Sequence, residues 1–236
     1  MVIISSFYNE EYLLPWWLKH HREIFTHGVL FNYFSTDKSV QIIRKICPTW
    51  EVRPTRNTNW DFPANDREYM GAEREFEGYK MVLTTTEFLV GDLPKLPDKP
   101  TCYAIPFYRV VDDDPSNKPT YKKPLIEQKK RCYVERKDQT ARRFLHNYPD
   151  GQYHVGRHGT YLESKEIPMW IYKYVFAPWS EEFIKRKLAM KDHVNKKNVK
   201  KGWGKHHTWG RERLEKEYKR ALKNSHKLSS KRVCNE

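Results

Sequence analysis

Two short polar loops carry the residue types best suited to chemistry in this 236-residue chain. Val2-Ile3-Ile4 runs into Ser5-Ser6-Phe7-Tyr8-Asn9-Glu10-Glu11, and Val29-Leu30-Phe31 runs into Asn32-Tyr33-Phe34-Ser35-Thr36-Asp37-Lys38-Ser39. Each reads as a buried strand ending in a polar loop that opens a helix. Open α/β sheets bind ligands at the carboxyl ends of their strands, so the two loops side by side point to a nucleotide pocket. A base is flat with a polar edge. Tyr8 could supply an aromatic bed, and Asn9, Glu10 and Asp37 could hydrogen-bond the base edge and the ribose hydroxyls. The plain alternatives are core packing for Tyr8 and a helix N-cap for Asp37.

The elements that must position these loops follow from the apolar spacing. Leu13, Leu14, Trp17, Leu18 and Ile24 recur at helical intervals over 12–25, with Pro15 tolerated in the first turn. A helix capped by Ser35 or Asp37 carries Val40, Ile43 and Ile46 to Cys47, with Pro48 as its stop. Glu51-Val52-Arg53 is a third strand followed by a loop with Arg56 and Asn57, residues 66–79 read as a charged helix, and Lys80-Met81-Val82-Leu83 is a fourth strand. That alternation predicts a three-layer α/β sheet over 1–93. A proline-spaced connection (93–100), a strand (102–111) broken by Asp112-Asp113-Asp114-Pro115, a polar stretch over 122–143 with no clear assignment, a Gly- and His-rich loop (146–160), an apolar aromatic segment (169–176) and a helix from Ser180 complete the body.

Composition narrows the class. Between Lys185 and Arg232 there are 18 Lys/Arg and 4 Asp/Glu, an excess of 14 that equals the net charge of the whole chain, so the remainder is neutral. Cys47, Cys102, Cys132 and Cys234 show no metal spacing and no CxxC pair, which suits a reduced compartment. The N-terminus lacks the basic lead and apolar length of a secretory signal, and no stretch approaches a membrane span. A soluble or peripheral cytoplasmic protein is expected.

The order of motifs resembles a known family. Phe7-Tyr8-Asn9-Glu10 after strand one, followed by Ser35-Thr36-Asp37-Lys38-Ser39 opening a helix, is similar to the nucleotide-sugar site of family 2-like glycosyltransferases of GT-A fold. Thr86-Glu87-Phe88-Leu89, residues 146–151, Gly156-Arg157-His158 and Lys173-Tyr174 resemble a compact branch of that class, such as the glycosyltransferases encoded by large algal viruses. The resemblance covers residues 1 to about 190. It implies a Rossmann-like half with a mixed central sheet, a nucleoside-diphosphate sugar (UDP-linked) as donor, a glycan or glycoprotein acceptor, and hexosyl or pentosyl transfer with inversion. Arg56 falls where the class often places a basic residue near the nucleotide, and a surface arginine is the equal alternative.

The sequence departs from that pattern twice. Where the class carries Asp-x-Asp to hold Mn²⁺ or Mg²⁺, this chain reads Thr84-Thr85-Thr86-Glu87. Hard divalent ions want several oxygens with negative charge among them. Three readings follow: a weak site on Glu87 aided by the diphosphate and His158, metal-free chemistry using Arg and Lys, or lost catalysis. The first is favoured here. Phe34 replaces the usual glycine of the second loop and should need a less strained backbone. Arg157 and His158 are expected to fold over the diphosphate. An inverting transfer also needs a general base, for which Asp112 is the first candidate, ahead of Asp113 and Asp114.

The expected organisation is therefore a glycosyltransferase domain over 1–190, divided into a nucleotide-sugar half (1–93) and an acceptor half (94–190), with a basic helical extension over 191–236. The extension suits a solvated helix, contact with anionic lipid, or nucleic acid, in that order of preference. The rival readings are a non-catalytic nucleotide-sugar-binding relative and a nucleic-acid-binding protein.

Overall fold

The computed structural model describes residues 1–135 and 140–227. Four parallel strands form the first half of the sheet: β1 (Val2–Phe7), β2 (His27–Asn32), β3 (Glu51–Pro54) and β4 (Lys80–Val82), in the order β3-β2-β1-β4. The period-two alternation of β1 divides two apolar layers. Ile3 and Phe7 pack with Leu14, Trp17 and Leu18 of α1 (Leu14–His21) and Ile43 of α2 (Ser39–Ile46), whereas Val2 and Ile4 pack with Tyr69 and Ala72 of α3 (Phe62–Glu73). The expected three-layer α/β arrangement is present.

The boundaries of α3 differ from the expected 66–79. Asp61 accepts from Ala64 N at 3.0 Å as N-cap and Pro63 sits in the first turn, so the helix starts earlier. It ends at Glu73, ahead of Gly78 at φ +72°.

Beyond residue 83 the sheet becomes mixed. β5 (Glu87–Val90), β6 (Cys102–Val111), α4 (Leu125–Gln128), β7 (Arg131–Tyr133), β8 (Arg142–His146), β9 (Lys165–Glu166) and β10 (Trp170–Phe176) follow in order. β8 lies antiparallel between β4 and β6, and the outer half of β6 pairs in parallel with β10, which in turn pairs antiparallel with β5. The carboxyl ends of β1, β4, β6 and β10 thus share one edge. The polar stretch without a clear assignment in the sequence supplies β7 and β8, and Glu87 opens β5.

The basic C-terminal region is part of the body. α5 (Glu181–Ala189) is N-capped by Ser180, and a 3-10 turn (Met190–Asp192), α6 (Lys196–Lys200), a second 3-10 turn (Lys205–Thr208), α7 (Arg211–Lys223) and β11 (His226–Lys227) follow. Leu214, Tyr218 and Ala221 of α7 are buried with Val111, Tyr133, Phe176 and Phe183, and the Tyr218 and Trp179 rings stack at 3.9 Å. β11 pairs with β7. The expected boundary at 190/191 falls inside continuous packing, with Met190 and Val194 in one apolar cluster. Arg232 and Cys234 lie outside the described residues; Cys47, Cys102 and Cys132 are buried. No helix among the described residues is long and apolar enough to cross a membrane.

Candidate functional site

The two loops that stand out in the sequence are joined to each other. Asn9, at φ +49°, accepts from Thr36 N at 2.8 Å through its side-chain carbonyl, and its own N–H donates to Ser35 Oγ at 3.1 Å. Glu10 N donates to Ser39 Oγ at 2.9 Å, and Glu11 N to Asp37 Oδ2 at 2.9 Å. The other oxygen of Asp37 accepts from Ser39 N at 2.9 Å, so the side chain does serve the helix start as well. Phe34 sits at φ +56° and is 56% exposed. The expected relaxed backbone is therefore not found: the left-handed turn that favours glycine is kept by an aromatic residue in solvent.

The aromatic bed is also occupied. Tyr8 and Tyr33 are buried with Met190 and Val194, and the Tyr8 ring lies 4.4 Å from that of His193. Trp60 bridges to Val194, and Asn195 and Asn198 both donate to Asp61. Phe7 is fully buried in the main core. Glu10 is fully buried; Arg186 of α5 pairs with it and donates to the Tyr8 carbonyl at 3.3 Å. Burial raises the Glu10 carboxyl above its ordinary range, against the pull of Arg186 and Lys187.

Glu87 forms a second centre. Trp17 of α1 fixes the turn that precedes it by donating from Nε1 to the Thr84 and Glu87 carbonyls at 3.1 and 2.9 Å. His20 and His21 hold the next residues through the Leu89 carbonyl (2.6 Å) and N–H (3.3 Å). The Glu87 carboxylate is wholly buried and accepts from Arg143 Nε (3.0 Å), Arg143 Nη2 (2.8 Å), Lys173 Nζ (2.9 Å) and Thr84 N (2.9 Å). Burial would raise its pKa, but Arg143 and Lys173 outweigh it and hold the group well below the usual carboxylate range.

Above this pair opens a cavity of about 450 Å³. Thr86, Arg109, His158 and Lys173 line it together with Lys187 of α5 and with His206, Trp209 and Glu217 further along the C-terminal region. Burial lowers Lys173 to about 8, despite Glu87, and lowers Lys187 to about 7 with Arg186 beside it. Burial together with Arg143 and Lys173 pushes His158 down to about 2, so it stays neutral. The cavity suits an anion.

The structure gathers some expected site residues and separates others. Thr86 and His158 meet at the cavity, with Glu87 beneath them. Arg157, at φ +58°, turns away: its guanidinium pairs with Asp66 and lies 4.4 Å from the Tyr69 ring, while its carbonyl accepts from Arg143 at 2.8 Å. Arg157 therefore supports Arg143 instead of covering a phosphate. Arg56 lines a different cavity, at the outer side of β3 and α3 with Arg53 and Arg67. Asp112 is 1% exposed and accepts from Lys129 (2.6 Å), Trp179 N (2.9 Å) and Asp114 N (3.1 Å). A carboxylate so enclosed cannot meet an acceptor hydroxyl, which corrects its expected role as base.

A divalent ion at Glu87 does not fit these residues. A carboxylate has about four lone-pair sites, and all four accept hydrogen bonds from neighbouring donors, three of them from cationic side chains. His158 Nδ1 lies 3.3 Å from Arg143 Nη1, again facing positive charge. Among the described residues no group of three or more His, Cys, Asp or Glu side chains could hold a metal ion.

The residues missed in the sequence are Arg143, Lys187, Arg109 and Trp17. Arg143 lay in an unassigned stretch, Lys187 was one among many basic residues, and Trp17 read as core. Lys173 carried resemblance only.

No family model matches this chain, and no curated protein matches it. Among solved structures, residues 1–349 of S. aureus TarS in complex with UDP-GlcNAc are similar at 10% identity and a TM-score of 0.42, over 81% of this chain and 65% of that one. The same TarS fragment with UDP gives 12% and 0.40, over 81% and 64%, and TarS itself gives 13% and 0.42, over 81% and 39%. This chain thus spans less than two thirds of the TarS chains it matches.

Proposed function

We propose that this protein is a glycosyltransferase that moves a sugar from a nucleoside-diphosphate donor, UDP-linked, to a hydroxyl of a glycan acceptor by a single inverting displacement. The observation that carries the reading is the cationic cavity at the shared carboxyl edge of β4, β6 and β10, where α/β sheets bind their ligands. Thr86, His158 and Lys173 would face the donor's diphosphate and sugar. In the transfer, the acceptor oxygen bonds to the anomeric carbon as the bond from that carbon to the diphosphate oxygen breaks. The bonding pair leaves with the nucleoside diphosphate. The acceptor's proton passes to a carboxylate of the cavity, Glu135, in place of Asp112.

The buried packing of α7 favours a basic region that walls this site over one that binds nucleic acid, which is not proposed. Lys196, Lys197, Lys200 and Lys201 stay exposed and suit peripheral contact with anionic lipid. The test is release of the free nucleotide from UDP-, GDP-, dTDP- and CMP-sugars, each with and without Mn²⁺. One donor class should be turned over; no turnover and no binding across the panel would overturn the reading.

A further inference from the structure

The charges around the cavity do not cancel. Arg143 and Lys173 face one carboxylate, Glu87, and Arg186 stands with Lys187 near one carboxylate, Glu10. Each pair leaves one positive charge over. Arg109 is met by Glu135 at 3.9 Å, and Glu217 is met by Arg213 at 2.6 Å and Arg220 at 3.4 Å. Lys187 is half-buried, and no carboxylate among the described residues lies within ion-pair distance of it; its ammonium sits over the Phe183 ring at 5.5 Å. Two uncompensated cations at one partly enclosed cavity carry a cost in desolvation unless an anion is received there. The pyrophosphate linkage of a sugar nucleotide carries two negative charges.

We infer that Lys173 and Lys187 bind the donor's diphosphate directly and offset the leaving-group charge that a divalent ion offsets elsewhere, an inference that rests on the nucleotide-sugar reading above. Where the resemblance implies an acidic ion site the chain has Thr84-Thr85-Thr86-Glu87; the Thr84 and Thr86 hydroxyls are bonded to each other at 3.0 Å, and Glu87 is already saturated by cations. Positive side chains fixed against the sheet supply charge stabilisation with no reorganisation as the diphosphate departs. Arg143 acts one step behind, holding Glu87 so that Lys173 keeps its place.

The experiment is calorimetric titration of the full chain with UDP, inorganic pyrophosphate and uridine, in EDTA and again in Mn²⁺, for the native protein, Lys187→Met and Lys187→Arg. Lys187 is the better probe because its removal leaves no ion pair broken, and thermal unfolding of the variant confirms that it folds. The expected result is UDP and pyrophosphate affinity equal within about twofold in the two buffers, weakened about tenfold or more in Lys187→Met and largely kept in Lys187→Arg, with uridine unaffected. UDP binding that requires Mn²⁺, or that ignores Lys187→Met, overturns the inference and leaves the nucleotide reading standing. Pyrophosphate bound through Lys187 with no nucleotide or sugar nucleotide bound sinks the nucleotide reading and leaves a metal-free anion site. Failure of both ligands in both buffers overturns both.

Discussion

The paired loops at 7–11 and 35–39 and the cavity below the C-terminal region lie along one edge of the same sheet, yet their polar groups are answered very differently. In the loops, Asn9, Ser35, Asp37 and Ser39 satisfy one another's backbones. Around the cavity, Arg143, Lys173, Arg186 and Lys187 outnumber the two carboxylates they face, Glu87 and Glu10. A closed hydrogen-bond network specifies backbone shape, whereas surplus charge specifies a ligand. The familiar motif thus shapes the edge, and the less familiar residues select what binds there.

The strongest way to break this comparison is at Glu87. Glu87→Gln leaves Arg143 and Lys173 buried without their counter-charge and should destabilise the fold by about 3–5 kcal/mol in chemical denaturation. Adding Lys173→Met should recover part of that loss. A change under about 1 kcal/mol would mean that the centre is open to water and behaves like a surface pair.

Asp37→Ala removes acceptors for Glu11 N and Ser39 N, at a cost of about 1–2 kcal/mol. If the loops only shape the edge, UDP affinity in this variant should fall no further than that loss of order implies. A drop in affinity with unchanged stability would instead place Asp37 on the ligand.

A third expectation concerns pH and sharpens the contrast. Lys187 titrates near 7 in the folded protein against 10.5 ordinarily, with Arg186, Lys173 and Arg109 facing it and Glu10 opposing. Between those values the unfolded chain binds the extra proton, so stability climbs with pH across that window. The destabilisation is complete below pH 7 and gone above 10.5. The unfolding midpoint should rise between pH 7 and 9, by less in Lys187→Met, and by less again in native protein saturated with pyrophosphate. An identical rise in the variant would remove Lys187 as its source.

Much of the first half of the fold is legible in the sequence because its signals are local. Val2-Ile3-Ile4, Val29-Leu30-Phe31 and Lys80-Met81-Val82 are apolar runs bounded by polar loops, and each became a parallel strand. The second half was harder. β8 reads Arg-Arg-Phe-Leu-His, yet Arg143 is 2% exposed, since an ion pair with a residue far away in the chain makes burial of that arginine tolerable. No local pattern announces such a strand. The same reason hid the site: Thr86 and His158 stood out by motif, but Lys173 and Lys187 acquire meaning only once β10 and α5 are brought beside them. Asp112 misled in the opposite sense, because an acidic run before a proline resembles a solvated turn until Lys129 and Trp179 are seen around it.

The attachment of Glu87 has a consequence for how the molecule comes into being. The carboxylate belongs to the first half of the chain and both its cations to the second, Arg143 lying 56 residues further on. Until β8 and β10 arrive, the segment that follows β4 carries an acidic group, Glu87, that must stay wet or take up a proton. Long loops must close before that contact rewards the chain, which slows folding. The two halves are therefore poor candidates for independent life: the ion cluster beneath the pocket is complete only when both are in place.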